Sequence, residues 1–183
     1  AGAPPGARSR RRAFESFMNP ARRIEPRITV LPEAGAAPVA VLRVSSETFA
    51  LAREEAHPSQ DASVVKESAG AVIAAVADGL GSAKQGGEAA ARVCETLARS
   101  FPARPRAWHA GKAMEEILRH LNHRLHQEAL VRHESPELTT TVCAVTLEGN
   151  RVHALNLGDS RVYLWRNGSL DRLTTDHREE FPE

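Results

Sequence analysis

Hydrophobic and polar positions divide the chain into blocks of different period. Val39 to Ala50 mixes Val, Leu, Thr and Phe with period-two stretches and predicts a strand. Residues 53–60 are polar and contain His57-Pro58, which predicts a loop. Asp61 to Lys66 reads as the next strand, and Glu67-Ser68-Ala69-Gly70 as a hairpin turn into an apolar run, Ala71 to Ala77. A continuous apolar run bounded by glycine predicts a strand buried on both faces. The period then becomes helical. From Gln85 to Phe101, Ala89, Val93, Leu97 and Phe101 fall on one face with Cys94 beside them. Pro102 and Pro105 end that helix. A second helix is predicted from Ala107 to Val131, with Met114, Ile117, Leu118, Leu121, Leu125 and Leu130 as its apolar stripe and His120, His123 and His126 on the solvated side. From Thr139 the period returns to two. Thr139–Leu147 and Arg151–Leu157 read as strands joined by a turn at Glu148-Gly149-Asn150. After an interruption at Gly158-Asp159-Ser160, Arg161–Trp165 and Ser169–Leu173 form a hairpin across Asn167-Gly168. Strands, two helices and strands again predict an α+β fold with helices laid on an antiparallel sheet.

The central run stops at one carboxylate, Asp78, followed by Gly79, Leu80 and Gly81. Such a strand leaves its first polar residue at the edge of the core. The glycines allow close backbone approach of a ligand. A carboxylate beside an accessible carbonyl suits a hard cation such as Mg²⁺ or Mn²⁺. Standing alone, Asp-Gly after a strand is most often just a turn. Glycines before a helix can also cradle phosphate, but the spacing matches neither nucleotide-loop pattern. Asp61 and Asp159 likewise sit at strand ends or interruptions. Carboxylates converging there repel one another unless a cation holds them. His120 and His123 have a spacing that could ligate metal, but no Glu completes a His-Glu-x-x-His pattern and the leucines claim the inward face.

Composition changes this picture little. The 183 residues suffice for one domain, with 42% hydrophobic and 26% charged residues. A net charge of +1 gives no argument for nucleic acid or a membrane surface as partner, and no apolar run reaches the roughly 18 residues of a membrane span. Residues 1–38 are rich in Pro, Gly and Arg and read as a tail or linker, with the domain over 39–183. The two cysteines, Cys94 and Cys143, lie in apolar patterns and read as buried free thiols. With arginines but no apolar segment following them at the N-terminus, cytoplasm is the expected place.

Five short motifs occur in order: Gln60-Asp61; Val76-Ala77-Asp78-Gly79-Leu80-Gly81; Thr139-Thr140-Thr141-Val142; Asn156-Leu157-Gly158-Asp159-Ser160-Arg161; and Leu173-Thr174-Thr175-Asp176-His177. In this the chain resembles the protein phosphatase 2C family, of bacterial type, over about residues 41–178. The resemblance implies an αββα sandwich, two stacked antiparallel sheets flanked by helices, with metals at one end. It implies Mg²⁺- or Mn²⁺-dependent hydrolysis of phosphoserine and phosphothreonine on protein substrates, by a water between two ions. Asp78, the Gly79 carbonyl and Asp61 would be metal ligands, and Asp159 would serve an additional site. The family's phosphate-binding Arg position is Ala56 here, and Arg53 is the nearest substitute. Leu80 stands where some members carry His. The family pattern continues with further metal-binding Asp residues past residue 183, so the chain reads as an N-terminal portion, truncated at the C-terminus. A non-catalytic, partner-binding module of the same fold is the alternative.

Overall fold

The computed structural model describes residues 27–30, 44–49, 59–68, 70–80, 83–133 and 138–177. Its elements are β1 (Arg27–Val30), β2 (Asp61–Ser68), β3 (Ala71–Leu80), α1 (Ala83–Ser100), α2 (Ala110–His133), β4 (Thr139–Thr140), β5 (Val142–Glu148), β6 (Arg151–Leu157), β7 (Tyr163–Arg166) and β8 (Ser169–Arg172). The main sheet has the order β1-β6-β5-β3-β2, with β4 also paired to β3, and β7-β8 form a separate two-stranded sheet. Every pairing is antiparallel. This is the α+β arrangement of antiparallel sheets and helices that the patterning predicts.

Both helices pack on one face of the main sheet. Ile73, Ala75 and Ala77 of β3 and Val142, Ala144, Leu155 and Leu157 of β5 and β6 meet Val93, Leu97, Phe101, Met114, Leu118, Leu121 and Leu125 in one core. The opposite face of the sheet is reached by the root of the β7-β8 hairpin. There Cys143 Sγ contacts the Arg161 carbonyl and Asn156 Nδ2 donates to the Thr175 carbonyl at 2.9 Å. Val76 on this face is 48% exposed and Val65 is exposed too. The expectation that the central strand is buried on both faces is therefore corrected. Its odd-numbered residues are buried and its even-numbered ones are not, because the helices cover one side and, among the described residues, the hairpin root covers only part of the other. Of the two antiparallel sheets expected from the resemblance, the described residues form one broad sheet and one two-stranded hairpin.

Other differences have local causes. Val44 to Phe49, inside the first predicted strand, is irregular and exposed; the rest of that strand lies outside the described residues. Arg27–Val30, inside the predicted tail, pairs with β6. Backbone pairing at a sheet edge requires only a short extended run; the rest of residues 1–38 lies outside the described residues. The strand predicted over Thr139–Leu147 breaks at Thr141 into β4 and β5. Helix α2 starts three residues later than predicted. His109 acts as its cap: its carbonyl accepts from the Ala113 N–H and its Nδ1 accepts from the Lys112 N–H. Asn167 and Gly168 both have positive φ, 53° and 80°, as a two-residue hairpin turn of matching twist requires.

The α2 stripe is confirmed at Met114, Leu118, Leu121 and Leu125, whereas Leu130 is 49% exposed. Five positions past Leu125 is off the stripe, and Ala129 takes the inward place. His120 and His123 are exposed as expected, whereas His126 is half-buried with its Nδ1 enclosed. Leu121→Ala should cost about 2–5 kcal/mol and Leu130→Ala less than about 0.5, read as the change in urea midpoint. Equal losses would mean that the face assignment is wrong.

A histidine pair lies under the start of α2. His153 of β6 is 7% exposed and its ring stacks on His109, with centroids 6.3 Å apart. Its Nδ1 and the Oγ1 of its cross-strand partner Thr146 are buried without a hydrogen bond. Burial, then His109 and Arg151, hold His153 below the ordinary histidine pKa. The unfolded chain therefore binds a proton more readily than the folded one. Folding stability should be full above about pH 6.5 and fall as pH drops below it. Denaturation curves at pH 5 to 8 check this, and His153→Leu should flatten the slope.

Candidate metal centre at one end of the sheet

The apolar run of β3 continues as strand through Asp78, Gly79 and Leu80 because both neighbours keep pairing with it. Asp61 lies directly opposite Asp78 in the β2–β3 ladder. The Gly79 N–H donates to the Gln60 carbonyl at 3.2 Å. That makes Gln60/Gly79 the hydrogen-bonded position and Asp61/Asp78 the non-hydrogen-bonded one, where Cα atoms stand about 4.5 Å apart and side chains come closest. Both carboxylates thus leave the same face of the sheet, at the end of β2 where the chain enters. Asp78 is half-buried and Asp61 exposed. Asp61 is oriented by Ser59, whose hydroxyl donates to Oδ2 at 3.1 Å and accepts from the Asp61 N–H.

On its other side Asp78 faces Thr141, whose N–H donates to the Asp78 carbonyl at 2.9 Å. The β5–β6 register places Gly158 next in this row, just past the end of β6. Asp159 follows. It is at the same end of the sheet as Asp61 and Asp78, but two strand spacings of about 4.8 Å from Asp78. Among the described residues no group of three or more His, Cys, Asp or Glu side chains is placed to hold one metal ion. Of the predicted residues, the structure brings together Asp61, Asp78 and Gly79, sets Asp159 apart, and leaves Arg53 outside the described residues.

Gly79 is fixed by space. A Cβ there would lie 2.2 Å from the backbone of Gly86 in the first turns of α1 and 2.8 Å from the Gln60 carbonyl. A Cβ on Gly86 would in turn meet the Gly79 and Leu80 backbone at 2.8–2.9 Å. Helix and strand therefore touch backbone to backbone beside Asp78. Gly86 has no role in the motif reading; its place in a Gly-Gly pair opening a helix is the one signal for it.

The loop carrying Asp159 is pinned on both sides. The Thr141 and Ser160 hydroxyls share a 2.6 Å hydrogen bond. The His177 N–H donates to the Gly158 carbonyl, and the Gly158 N–H to His177 Nδ1. Asp176, buried, accepts Nε and Nη2 of Arg161 at 3.1 and 2.7 Å and Nη2 of Arg172 at 2.6 Å. The bond to Asp176, and then that to Tyr163, raise the Arg161 pKa. Thr141, Ser160, Asp176 and His177 stand in the quoted motifs, but sequence alone assigns them no role, because the motifs act on each other across a hairpin.

The donors at this end are carboxylate and carbonyl oxygens. That set fits a hard divalent cation such as Mg²⁺ or Mn²⁺, two carboxylates being a usual protein contribution with water completing the shell. A thiol alternative has no support. Burial pushes the Cys94 thiol up to about 11 and raises Cys143 as well, so neither is a thiolate at neutral pH.

The antiparallel sheets and helices of this chain match those of solved phosphatase 2C-type structures. The family model described as Protein phosphatase 2C matches residues 51–183, and the chain belongs to that family. It is 32% identical over 108 residues to the serine/threonine protein phosphatase PstP of Mycobacterium tuberculosis, an alignment covering 59% of this chain and 21% of PstP. The PstP crystal structure superposes with a TM-score of 0.53 at 24% identity, over 84% of this chain and 55% of that one. A catalytic-domain structure of PstP in complex with two manganese ions gives 0.53 at 24%, over 83% and 56%. PppA of Pseudomonas aeruginosa gives 0.52 at 26%, over 84% and 57%. The chain thus spans about a fifth of the curated relatives it matches and somewhat more than half of these solved chains.

Proposed function

We propose that this chain carries one side of the active site of a Mg²⁺- or Mn²⁺-dependent protein phosphatase that hydrolyses phosphoserine and phosphothreonine. The observation that carries this reading is the direct opposition of Asp61 and Asp78 at the open end of the sheet, in a chain of the protein phosphatase 2C family. Asp61 and Asp78 would hold the ions, with the Gly79 carbonyl as a further donor and Asp159 serving an additional site. A two-ion centre is supported by the two manganese ions of the PstP complex, and a third ion at Asp159 rests on the motif resemblance alone. When bound, such ions lower the pKa of water and offset charge on the phosphoryl oxygens. The protein's own part is to hold two like charges in fixed opposition, through the β2–β3 ladder and the Ser59 hydrogen bonds. Arg53 would receive the substrate phosphate. The substrate is then a phosphoprotein, and a cytoplasmic setting is supported by the buried free thiols of Cys94 and Cys143.

A non-catalytic, partner-binding role is the second reading. Hydrolysis of a phosphothreonine peptide with and without Mn²⁺, by this chain and by one extended at its C-terminus, tests the proposal. Turnover that needs Mn²⁺ in either chain supports it. Absence of turnover in both favours the binding module.

A further inference from the structure

We propose that Asp176 is a positioning residue for Asp159, acting through a clamp that joins the Asp159 loop to the Asp78 strand. The inference rests on the metal-centre reading above and adds how its outlying carboxylate is held.

Asp159 is exposed on a loop, where a side chain would ordinarily lose much conformational freedom on binding a cation. Its chain neighbours are not free to move. Gly158 is bound in both directions by His177. It has φ +92°, and a Cβ there would meet the Thr141 methyl at 2.8 Å. Ser160 is bonded to Thr141, which is bonded to the Asp78 carbonyl. Arg161 is gripped in two-pronged fashion by Asp176. Two-pronged guanidinium–carboxylate pairs fix orientation as well as contribute energy. Asp176 accepts a third bond from Arg172, whose Nε also donates to the Thr174 carbonyl. The Thr174 hydroxyl accepts from the Val162 N–H, and Asn156 holds the Thr175 carbonyl.

The segment after the hairpin is thus fastened at four successive residues, 174 to 177, to Val162, Asn156, Arg161 and Gly158, with Asp176 at the only point where two cations meet one buried carboxylate among the described residues. A carboxylate that is 4% exposed and serves only itself would be a costly way to hold a surface hairpin. One that fixes Arg161 fixes the loop from Gly158 to Arg161, and so the direction in which Asp159 leaves it. Groups bonded directly to a metal ligand tune affinity by about 10- to 100-fold; Asp176 acts one step further out, through Arg161, so its effect belongs at the lower end.

The test is a double-mutant cycle on Mn²⁺ binding by the full 183-residue chain, read by titration calorimetry, with Asp159→Asn, Asp176→Asn, the double variant, and Asp78→Asn. Asp159→Asn and Asp176→Asn should each weaken one class of Mn²⁺ site about tenfold or more, and the double variant no further. Amide exchange at 158–161 should accelerate in Asp176→Asn without metal. Additive losses, or an Asp176→Asn chain that binds Mn²⁺ as the parent does, overturn the clamp while leaving the Asp78 site standing. Mn²⁺ binding indifferent to both Asp78→Asn and Asp159→Asn overturns the metal centre itself, and the clamp with it. Should Asp176→Asn not fold, Ser160→Ala cuts the loop's other tie and is read in the same cycle.

Discussion

In the Asp78→Asn variant, Mn²⁺ is expected to raise the melting temperature far less than in the parent chain, which melts higher as Mn²⁺ is added. The ion binds the folded arrangement of Asp61 opposite Asp78, which the unfolded chain lacks, so binding adds to stability. The gain is about 2.7 kcal/mol at a hundredfold excess over the dissociation constant. Without metal, two carboxylates facing each other at a non-hydrogen-bonded position repel. Asparagine keeps the shape and removes one charge. The metal-free variant should therefore be as stable as the parent or slightly more so, and an extended chain carrying Asp78→Ala should show no phosphatase activity. Asp171→Asn, on the exposed face of β8, is the control and should change neither result. Equal Mn²⁺ shifts in the parent and in Asp78→Asn would reduce Asp78 to an ordinary strand-end residue.

The glycines beside Asp78 give the second large effect, with opposite signs at neighbouring positions. Gly79→Ala places a methyl 2.2 Å from the Gly86 backbone, and Gly86→Ala places one 2.8 Å from the Gly79 backbone. The obstacles are main-chain atoms of a helix and a central strand, so relief requires the two elements to separate. Overpacking of this kind costs about 1–3 kcal/mol, and these contacts belong at the upper end. Gly87→Ala differs. Its nearest neighbour beyond the helix is 3.7 Å away. Alanine there should stabilise the chain by about 0.5–1 kcal/mol, because a helical glycine is replaced without a clash. Urea denaturation of the three variants reads the signs directly. Loss of stability in Gly87→Ala equal to that in Gly86→Ala would mean that the Gly79–Gly86 contact is not what excludes a side chain. Gly79→Ala should also weaken Mn²⁺ binding, since it moves the strand end that carries Asp78.

The class of the fold was readable because its signals are local. Period-two and helical stretches each report the face of one element. The α1 and α2 stripes were found to within a few residues, since one core-facing stripe on a long helix leaves little choice. The order of the five motifs likewise required no geometry. The register at the metal centre did depend on tertiary structure. A four-residue turn at 67–70 would set Asp61 opposite Val76, whereas pairing of Ser68 with Ala71 sets it opposite Asp78. Moving a hairpin centre by one residue moves the register by two, and the sequence around Gly70 permits either. The separation of Asp159 from Asp78 was set by the two intervening strand spacings, which strand patterns do not reveal. The grip of Leu173-Thr174-Thr175-Asp176-His177 on the Asp159 loop was decided by a hairpin folding back. Sequence alone determined which residue types stand at strand ends; long-range pairing decided which of them face each other, because hydrogen-bond register is a property of two strands and not of one.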